Sequence, residues 1–564
     1  MKQKDKKISQ KIIFLLFSTF FLVGLFTFKD YGISVDEEFQ RSSGFYWLNY
    51  VLNFTSFDGL KEDVVNKIAQ IQIKAYTLPR VEINQFYGVI FDLPAAFLEV
   101  LFKIEDSKNY YYFKHFLNFL LFFVASIFFY KLLLNRFLNP NVALIGTLFF
   151  ILSPRIYGNS FYNPKDIIFL SLLVISFYFC FKLFDKMNYK NFFIFSLFAA
   201  LSTSQRMYGI FLPISFIVFY LFSVLSKKKD LDYLPGIIFF FISFFIFLIL
   251  FWPYLWSNPI KNFAFGYEYF SHHIYLEDIK MLFNGNYIKA SPVPYGYIFT
   301  WMLITTPTVY SILFIIGYIQ IVNRFSLKFI NIKNNNYYYD FWRSVNEKKD
   351  LFILFNLTCI ILYLIIFDIS MFTGWRHLYF TNIFIIYIAV YSFYRLCISF
   401  KRRDKKILIF SVIIFYLIFI TYKMFVYHPY QNIYFNTLFT KTVKNIHEKF
   451  EIDYWGLTGR KFLEEILTME KNKNLIKIGT ASYVSLHRSL KLLDKKERKR
   501  IIIVGQEYQN ADYLYSNFMS EVDKRYNDKY KIPNNFSKIN SFVLDNITVY
   551  EVFKKKLKYE NIYI

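Results

Sequence analysis

Two stretches, "KIIFLLFSTFFLVGLFTF" (11–28) and "LPGIIFFFISFFIFLILFW" (234–252), are long and apolar enough to cross a hydrocarbon core, which takes roughly 20 residues as a helix. Similar runs recur through the first three quarters of the chain. In order they give about eleven spans, near 12–28, 112–130, 141–153, 167–184, 192–205, 208–225, 234–252, 306–323, 351–368, 378–396 and 407–424. This is the pattern of an α-helical polytopic membrane protein. The chain is 23% aromatic, but its excess of Phe, Tyr, Ile, Lys and Asn also fits an AT-rich genome, so aromatic abundance is no sign of function.

A net charge of +25 would suit a nucleic-acid binder if it were not for its placement. With the N-terminus cytoplasmic, the inside connections are "MKQKDKK", "KLLLNRFLNPN", "KLFDKMNYK", "SKKKD", the region Arg324–Lys349 and "SFKRRDKK". These are rich in Lys and Arg, and the short outside connections are not, as the positive-inside rule requires. Basicity therefore reports topology, and no nucleic-acid partner is expected. The apolar run near the N-terminus is followed by "FTFKDYGIS", which offers no small-x-small cleavage site, so it reads as a retained span. Cys180, Cys359 and Cys397 fall within apolar spans and suggest neither a disulfide framework nor a Cys-based metal site.

The first outside segment, about 29–111, is long and contains "QFYGVIFDLPAAFLEVLF" (85–102). With Asp92, Pro94 and Glu99 inside it, this run reads as a helix lying on the membrane rather than crossing it. A span there would also place the later Lys clusters outside. A second outside loop covers about 253–295. Residues 1–426 thus form a transmembrane domain. The tail, 427–564, is polar with short apolar runs "LIKIGTA", "RIIIVGQ" and "FVLDNITVYEVF", the pattern of a small extracytoplasmic α/β domain.

Polar clusters gather on that same outer side: "VDEEFQ" (35–40), "SPRIYGNSFYNPKD" (153–166), "TSQRMYG" (203–209), "WPYLWSNP" (252–259), "FTGWRHLYF" (372–380) and "VYHPYQNIYFN" (426–436). A transporter would place charged groups near mid-span, whereas these spans are almost clean. Each cluster also has a simpler role. In "NPKD", Asn163 as N-cap, Pro164 at the first position and Asp166 at the third would start a span, and Asp166 can still face a substrate. "GWRHLYF" would serve as an interfacial anchor. Asp36, Glu37 and Glu38 would suit ordinary solvated acids. His272 and His273 are adjacent, and neighbouring side chains rarely converge on one metal.

These residues resemble a family. The acidic pair Asp36–Glu37 after the first span, a juxtamembrane helix in the first outer loop, Arg155 with "FYNPKD", then "WRHLYF", "HPYQNIYFN" and "DYWG" (453–456) are similar to the C-type polytopic glycosyltransferases of the glycosyltransferase 39 group. That group includes protein O-mannosyltransferases and the lipid A aminoarabinose transferase, and the last three motifs resemble a bacterial subgroup. The resemblance implies a polyprenyl-phosphate-linked sugar as donor. One departure matters: "YGVIFDLP" stands where the first loop commonly carries His-Pro-Pro, so the acceptor's identity does not carry over.

Displacing a sugar from a lipid phosphate needs a carboxylate to take the acceptor hydroxyl's proton and cations to stabilise the departing phosphate. Asp36 is the candidate general base and Glu37 its neighbour for acceptor, sugar or metal; Asp166 completes the catalytic candidates, and Glu38 reads as a solvated flank. Arg376, His377, Arg155, Lys165 and Arg206 are the donor- and phosphate-binding candidates, with Arg376 first because its planar fork suits phosphate. A divalent metal is possible alongside them. The expected function is a glycosyltransferase of the inner membrane acting on its extracytoplasmic face, with membrane lipids and a glycan, lipid or protein acceptor as partners. The alternatives are a lipid-linked sugar flippase or exporter and an envelope scaffold presenting the tail domain.

Overall fold

The computed structural model describes residues 3–71, 86–225, 230–272, 280–330, 341–400, 402–520 and 528–556. Nine helices among them are long and apolar enough to cross a membrane: Gln10–Thr27, Ser107–Phe137, Asp166–Asp185, Met207–Leu225, Leu234–Phe251, Thr308–Lys328, Val345–Ile366, Arg376–Ser399 and Arg403–Val426. A helix satisfies its own backbone polar groups, which a hydrocarbon environment demands. These nine coincide with nine of the expected spans. The other two expected spans take different forms. Region 141–153 is the helix Pro140–Ile151, which turns by 63° into a second helix, Pro154–Tyr162, and the pair counts as a tenth candidate if taken as one span. The break has a local cause. Pro154 lacks an N–H and drives Ser153 out of the helical region, to φ −89° and ψ 101°. Region 192–205 lies in the helix Tyr189–Gln205, 17 residues long and packed between Asp166–Asp185 and Leu234–Phe251. The three cysteines are free and lie in helices.

Between the first two long apolar helices, the run 85–102 yields the ten-residue helix Asp92–Leu101. At about 15 Å it is too short to cross a bilayer. It lies instead against the helix Glu37–Leu52. Gly44 makes that approach possible, because a Cβ there would sit 2.3 Å from the carbonyl oxygen of Asp92. The acids inside this run are paired: Glu99 accepts from Arg41 Nε (3.1 Å) and Nη2, and Asp92 Oδ1 lies 2.9 Å from Lys114 Nζ. Breaking either pair would strand a buried charge.

The tail carries a five-stranded mixed sheet in the order β4-β3-β5-β7-β6. β3 (Ile476–Thr480), β4 (Ile501–Gly505) and β5 (Tyr513–Ser516) are parallel, and β6 (Phe536–Leu544) and β7 (Ile547–Lys555) form an antiparallel hairpin. The expected apolar runs are β3, β4 and the hairpin. Asp545 and Asn546 close it with φ values of +49° and +67°, the positive pair that a two-residue type I′ turn requires. Asp545 also accepts from Lys423 Nζ (2.8 Å) and from the Tyr427 hydroxyl (2.9 Å), tying the sheet to the end of the last span. Between them, residues 427–458 pack into the helical part. Asn436 N–H donates to Ile304 O (2.8 Å), and Phe450 bridges to Phe283 in the hairpin of β1 (Lys280–Phe283) and β2 (Asn286–Lys289).

Charged networks mark both ends of the helical body. On the helix Ser107–Phe137, His115 contacts the acidic turn after the first span, and Arg136 donates to Asp350 through Nε (2.6 Å). At 1.5 Å per residue these two positions are about 30 Å apart, one hydrocarbon thickness. Lys349 pairs with Asp185 (2.6 Å) and Glu347 with Arg343 (2.6 Å) and Arg324 (2.8 Å) beside Asp350.

Candidate active site

The three consecutive acids diverge. Asp36 stands at the N-cap of the helix Glu37–Leu52, yet its side chain caps nothing. It accepts instead from Arg376 Nη1 through Oδ2 at 2.6 Å. Glu37 turns inward, fully buried, accepting from Ser34 N–H (2.7 Å) and contacting His115 Nε2 (3.0 Å). Glu38 is not a solvated flank: its side chain is only 18% exposed and accepts from Arg488 Nε (3.1 Å) and Lys491 Nζ. Successive helical residues point about 100° apart, so three acids in one turn must find three different partners.

"NPKD" combines its two expected roles. Asn163 Oδ1 accepts the Asp166 N–H (3.0 Å), and Asn163 Nδ2 donates to Asp166 Oδ2 (2.9 Å) at the start of the helix Asp166–Asp185. The other carboxylate oxygen, Oδ1, accepts from Arg206 Nη2. Lys165 lies over the Tyr87 ring and within electrostatic reach of Arg206, Asp36 and Asp166. Burial first, then repulsion from Arg206, holds its ammonium pKa well below the ordinary lysine range. At Asp36 the balance falls the other way. Burial raises its pKa, but Arg376, Lys165 and Arg206 outweigh burial and keep the carboxyl below its usual value.

Arg376 is clasped between the rings of Trp455 (4.8 Å) and Phe372 (5.2 Å), and its Nε is buried with no hydrogen-bond partner among the described residues. His377 meets the Phe372 ring edge-on, with the centroids 4.5 Å apart. Lys165, Arg206, His377 and Tyr87 line a cavity of about 390 Å³. Its wall continues over Ile210, Phe211 and Ile214 along the span that follows Arg206, and Ile214 is 50% exposed on that span's outer surface. A cationic mouth thus opens onto an apolar, membrane-facing slot.

Of the expected site residues, Lys165, Arg206 and His377 line this cavity, Asp166 and Asp36 adjoin it through Arg206 and Lys165, Arg376 is paired to Asp36, and two lie apart. Glu37 is turned away from it, and Arg155 sits one layer deeper, 2% exposed, donating through Nε to Tyr434 O (2.9 Å) beneath the rings of Phe435 and Trp301. The hydroxyls of Tyr379 and Tyr454, 2.9 Å apart, stand between the Arg155 layer and Arg376. Tyr87, Tyr208 and Trp455 were not singled out from the sequence. Each lay in a quoted stretch, Tyr87 opening "YGVIFDLP", Tyr208 in "TSQRMYG" and Trp455 in "DYWG", but in a chain with 48 tyrosines nothing local marked which rings would reach the site. Among the described residues no group of three or more His, Cys, Asp or Glu is placed to hold a metal ion. The side chains of His272 and His273 lie outside the described residues.

Residues 94–255, less than a third of the chain, match the family model described as dolichyl-phosphate-mannose-protein mannosyltransferase. No curated protein matches the chain. The matched region contains Arg155, Lys165, Asp166 and Arg206; Asp36, Arg376 and His377 come from outside it and are brought to it by the fold. The match supports the broad polytopic transferase group without resolving a subgroup. Family similarity and the array of apolar helices together mark a membrane protein of the glycosyltransferase type.

Proposed function

We propose that the protein transfers a sugar from a polyprenyl-phosphate donor to a cell-envelope acceptor (glycan, lipid or protein) on the extracytoplasmic face of the inner membrane. The observation that carries this reading is the cavity whose mouth holds Lys165, Arg206 and His377 and whose wall is the apolar face of a span. It fits a molecule with a phosphate head and a hydrocarbon tail. Two carboxylates stand close by, Asp166 paired with Arg206 and Asp36 paired with Arg376.

On this reading the chemistry is a displacement at the anomeric carbon. Arg376 holds Asp36 by its Oδ2, leaving Oδ1 to act as the base. That oxygen takes the acceptor hydroxyl's proton as the hydroxyl oxygen bonds to the anomeric carbon. The bond from that carbon to the phosphate oxygen breaks, and its electrons remain on the phosphate. Lys165, Arg206 and Arg376 stabilise the charge that develops there. Asp166 sets Arg206 in place and shares the cation field. Lys165, held toward neutrality in the cavity, gains reason to be charged when an anion arrives.

The test is incubation of the purified, membrane-reconstituted protein with a panel of radiolabelled polyprenyl-phosphate sugars, starting with polyprenyl-phosphate mannose in view of the family match. Release of polyprenyl phosphate from one member, dependent on Asp36, is expected. Failure of every member both to bind and to turn over would reject the donor class.

A further inference from the structure

We infer that Arg488 and Lys491 are positioning residues: by clamping Glu38 they hold the turn that presents Asp36, which makes the C-terminal region part of the catalytic apparatus. This rests on the reading of Asp36 as the general base.

The turn Ser34–Glu38 is held from three sides. Asp36 reaches Arg376 at the head of a span, Glu37 is latched to His115 on the helix Ser107–Phe137, and Glu38 is held by the tail. The tail contact is built, not incidental. Leu492, 1% exposed, packs in one apolar cluster with Ile33, Tyr110, Tyr111 and Tyr112. Lys108 Nζ pairs with Asp494 at 2.8 Å on the same seam. Arg498 Nη2 donates to the carbonyls of Lys491 (2.9 Å) and Leu493 (3.1 Å), fixing the backbone that carries the clamp. Glu38 accepts on both carboxylate oxygens, one from each cation, so a point charge and a guanidinium together define its position.

The energetic logic is one of geometry. The single hydrogen bond to Arg376 does not by itself fix the Asp36 side chain, whose position follows its turn, and two residues further on the clamp adds to the restraint that Glu37 already supplies. Small misplacements of a reacting group cost rate more than affinity. The donor's phosphate would meet Lys165, Arg206 and Arg376, all on elements other than the Ser34–Glu38 turn. Loss of the clamp should therefore lower kcat and leave donor KM nearly unchanged. Glu38, Arg488 and Lys491 have side-chain exposures of 18%, 23% and 36%, so the contact is also open to screening by salt.

The experiment uses the full-length protein in nanodiscs, with polyprenyl-phosphate mannose as donor and hydrogen exchange of residues 34–40 as a readout that needs no substrate. The double variant Arg488→Gln/Lys491→Gln should lose ~10- to 100-fold in kcat, keep its donor KM and exchange faster at 34–40. Glu38→Lys should do the same. Combining Glu38→Lys with Arg488→Glu and Lys491→Glu should restore both protection and rate, which a general folding defect would not allow. Parental kcat and parental exchange in the double variant would overturn the clamp, as would a reversed triple variant that regains neither. Asp36→Asn in the same assay separates the two ideas. A dead Asp36→Asn beside an unaffected double variant rejects the clamp alone, whereas an active Asp36→Asn rejects the catalytic reading and the clamp with it.

Discussion

Asp36 and Arg376 stand 340 residues apart in sequence and 2.6 Å apart in space, and the roles assigned to them predict different kinetics. Asp36→Asn should cost on the order of 10²-fold or more in turnover, the usual range for loss of a general base, with donor binding retained because a carboxylate does not hold a phosphate. Near-parental turnover would move the role to Asp166. The base must be ionised, and its pKa is held below the usual carboxylate range. Activity should therefore be lost only as pH falls below that range, and Arg376→Gln, by removing its foremost cation, should move the acidic limb upward. A pH profile of kcat/KM measured on both proteins checks the direction. Arg376→Lys separates phosphate clamp from membrane anchor. A clamp needs the planar fork, so donor affinity and turnover should fall together and fall further in Arg376→Ala; unchanged affinity in a well-inserted Arg376→Ala would leave Arg155 as the next candidate. The acids and bases were visible in the sequence as residues. Their pairing was not, because nothing local to "VDEEFQ" says which acid points where.

Two contacts between elements make sharper demands than propensity does. The helices Glu37–Leu52 and Asp92–Leu101 touch at Gly44, where an added Cβ would meet the Asp92 carbonyl at 2.3 Å. Gly44→Ala should force them apart, with the roughly 1–3 kcal/mol cost typical of overpacking, seen as a lower unfolding temperature and a displaced Asp36 turn. Glu451 joins the tail to the β1–β2 hairpin, accepting from the Leu282 N–H. Burial pushes its pKa up to about 8, against that hydrogen bond and Arg376. A raised acid pKa means the folded protein keeps a proton that the unfolded chain releases near pH 4.3. Stability should thus decline as pH rises from that value to about 8. Glu451→Gln keeps the acceptor without the proton, so its unfolding temperature should be flatter across that window; an identical slope would remove Glu451 from the account. At this scale the sequence was a fair guide to helices and strands. It did not show the 63° break before Pro154 as a turn back into buried structure, since a proline and a serine mark a break but not its angle.

For the molecule as a whole, the two charged ends lie about one hydrocarbon thickness apart, as derived from the His115–Arg136 separation, and the basic connections fall at one of them. A reporter fused after Lys406 should read as cytoplasmic and one fused within the tail as extracytoplasmic; a cytoplasmic tail would invert the proposed active face. Hydropathy and charge placement determined what kind of protein this is, because both are local properties that a bilayer sorts residue by residue. They pointed to the apolar helices, the short helix in the first loop and the tail strands other than β5, and they singled out the acids and bases as residues. Only the tertiary structure decided that Asp36 meets Arg376, that Asp166 meets Arg206, that Glu37 and Arg155 face away from the cavity, and that Glu38 is held by the tail. Those partners come from elements tens to hundreds of residues apart. Packing brings them together once the helix geometry has fanned three adjacent acids in three directions.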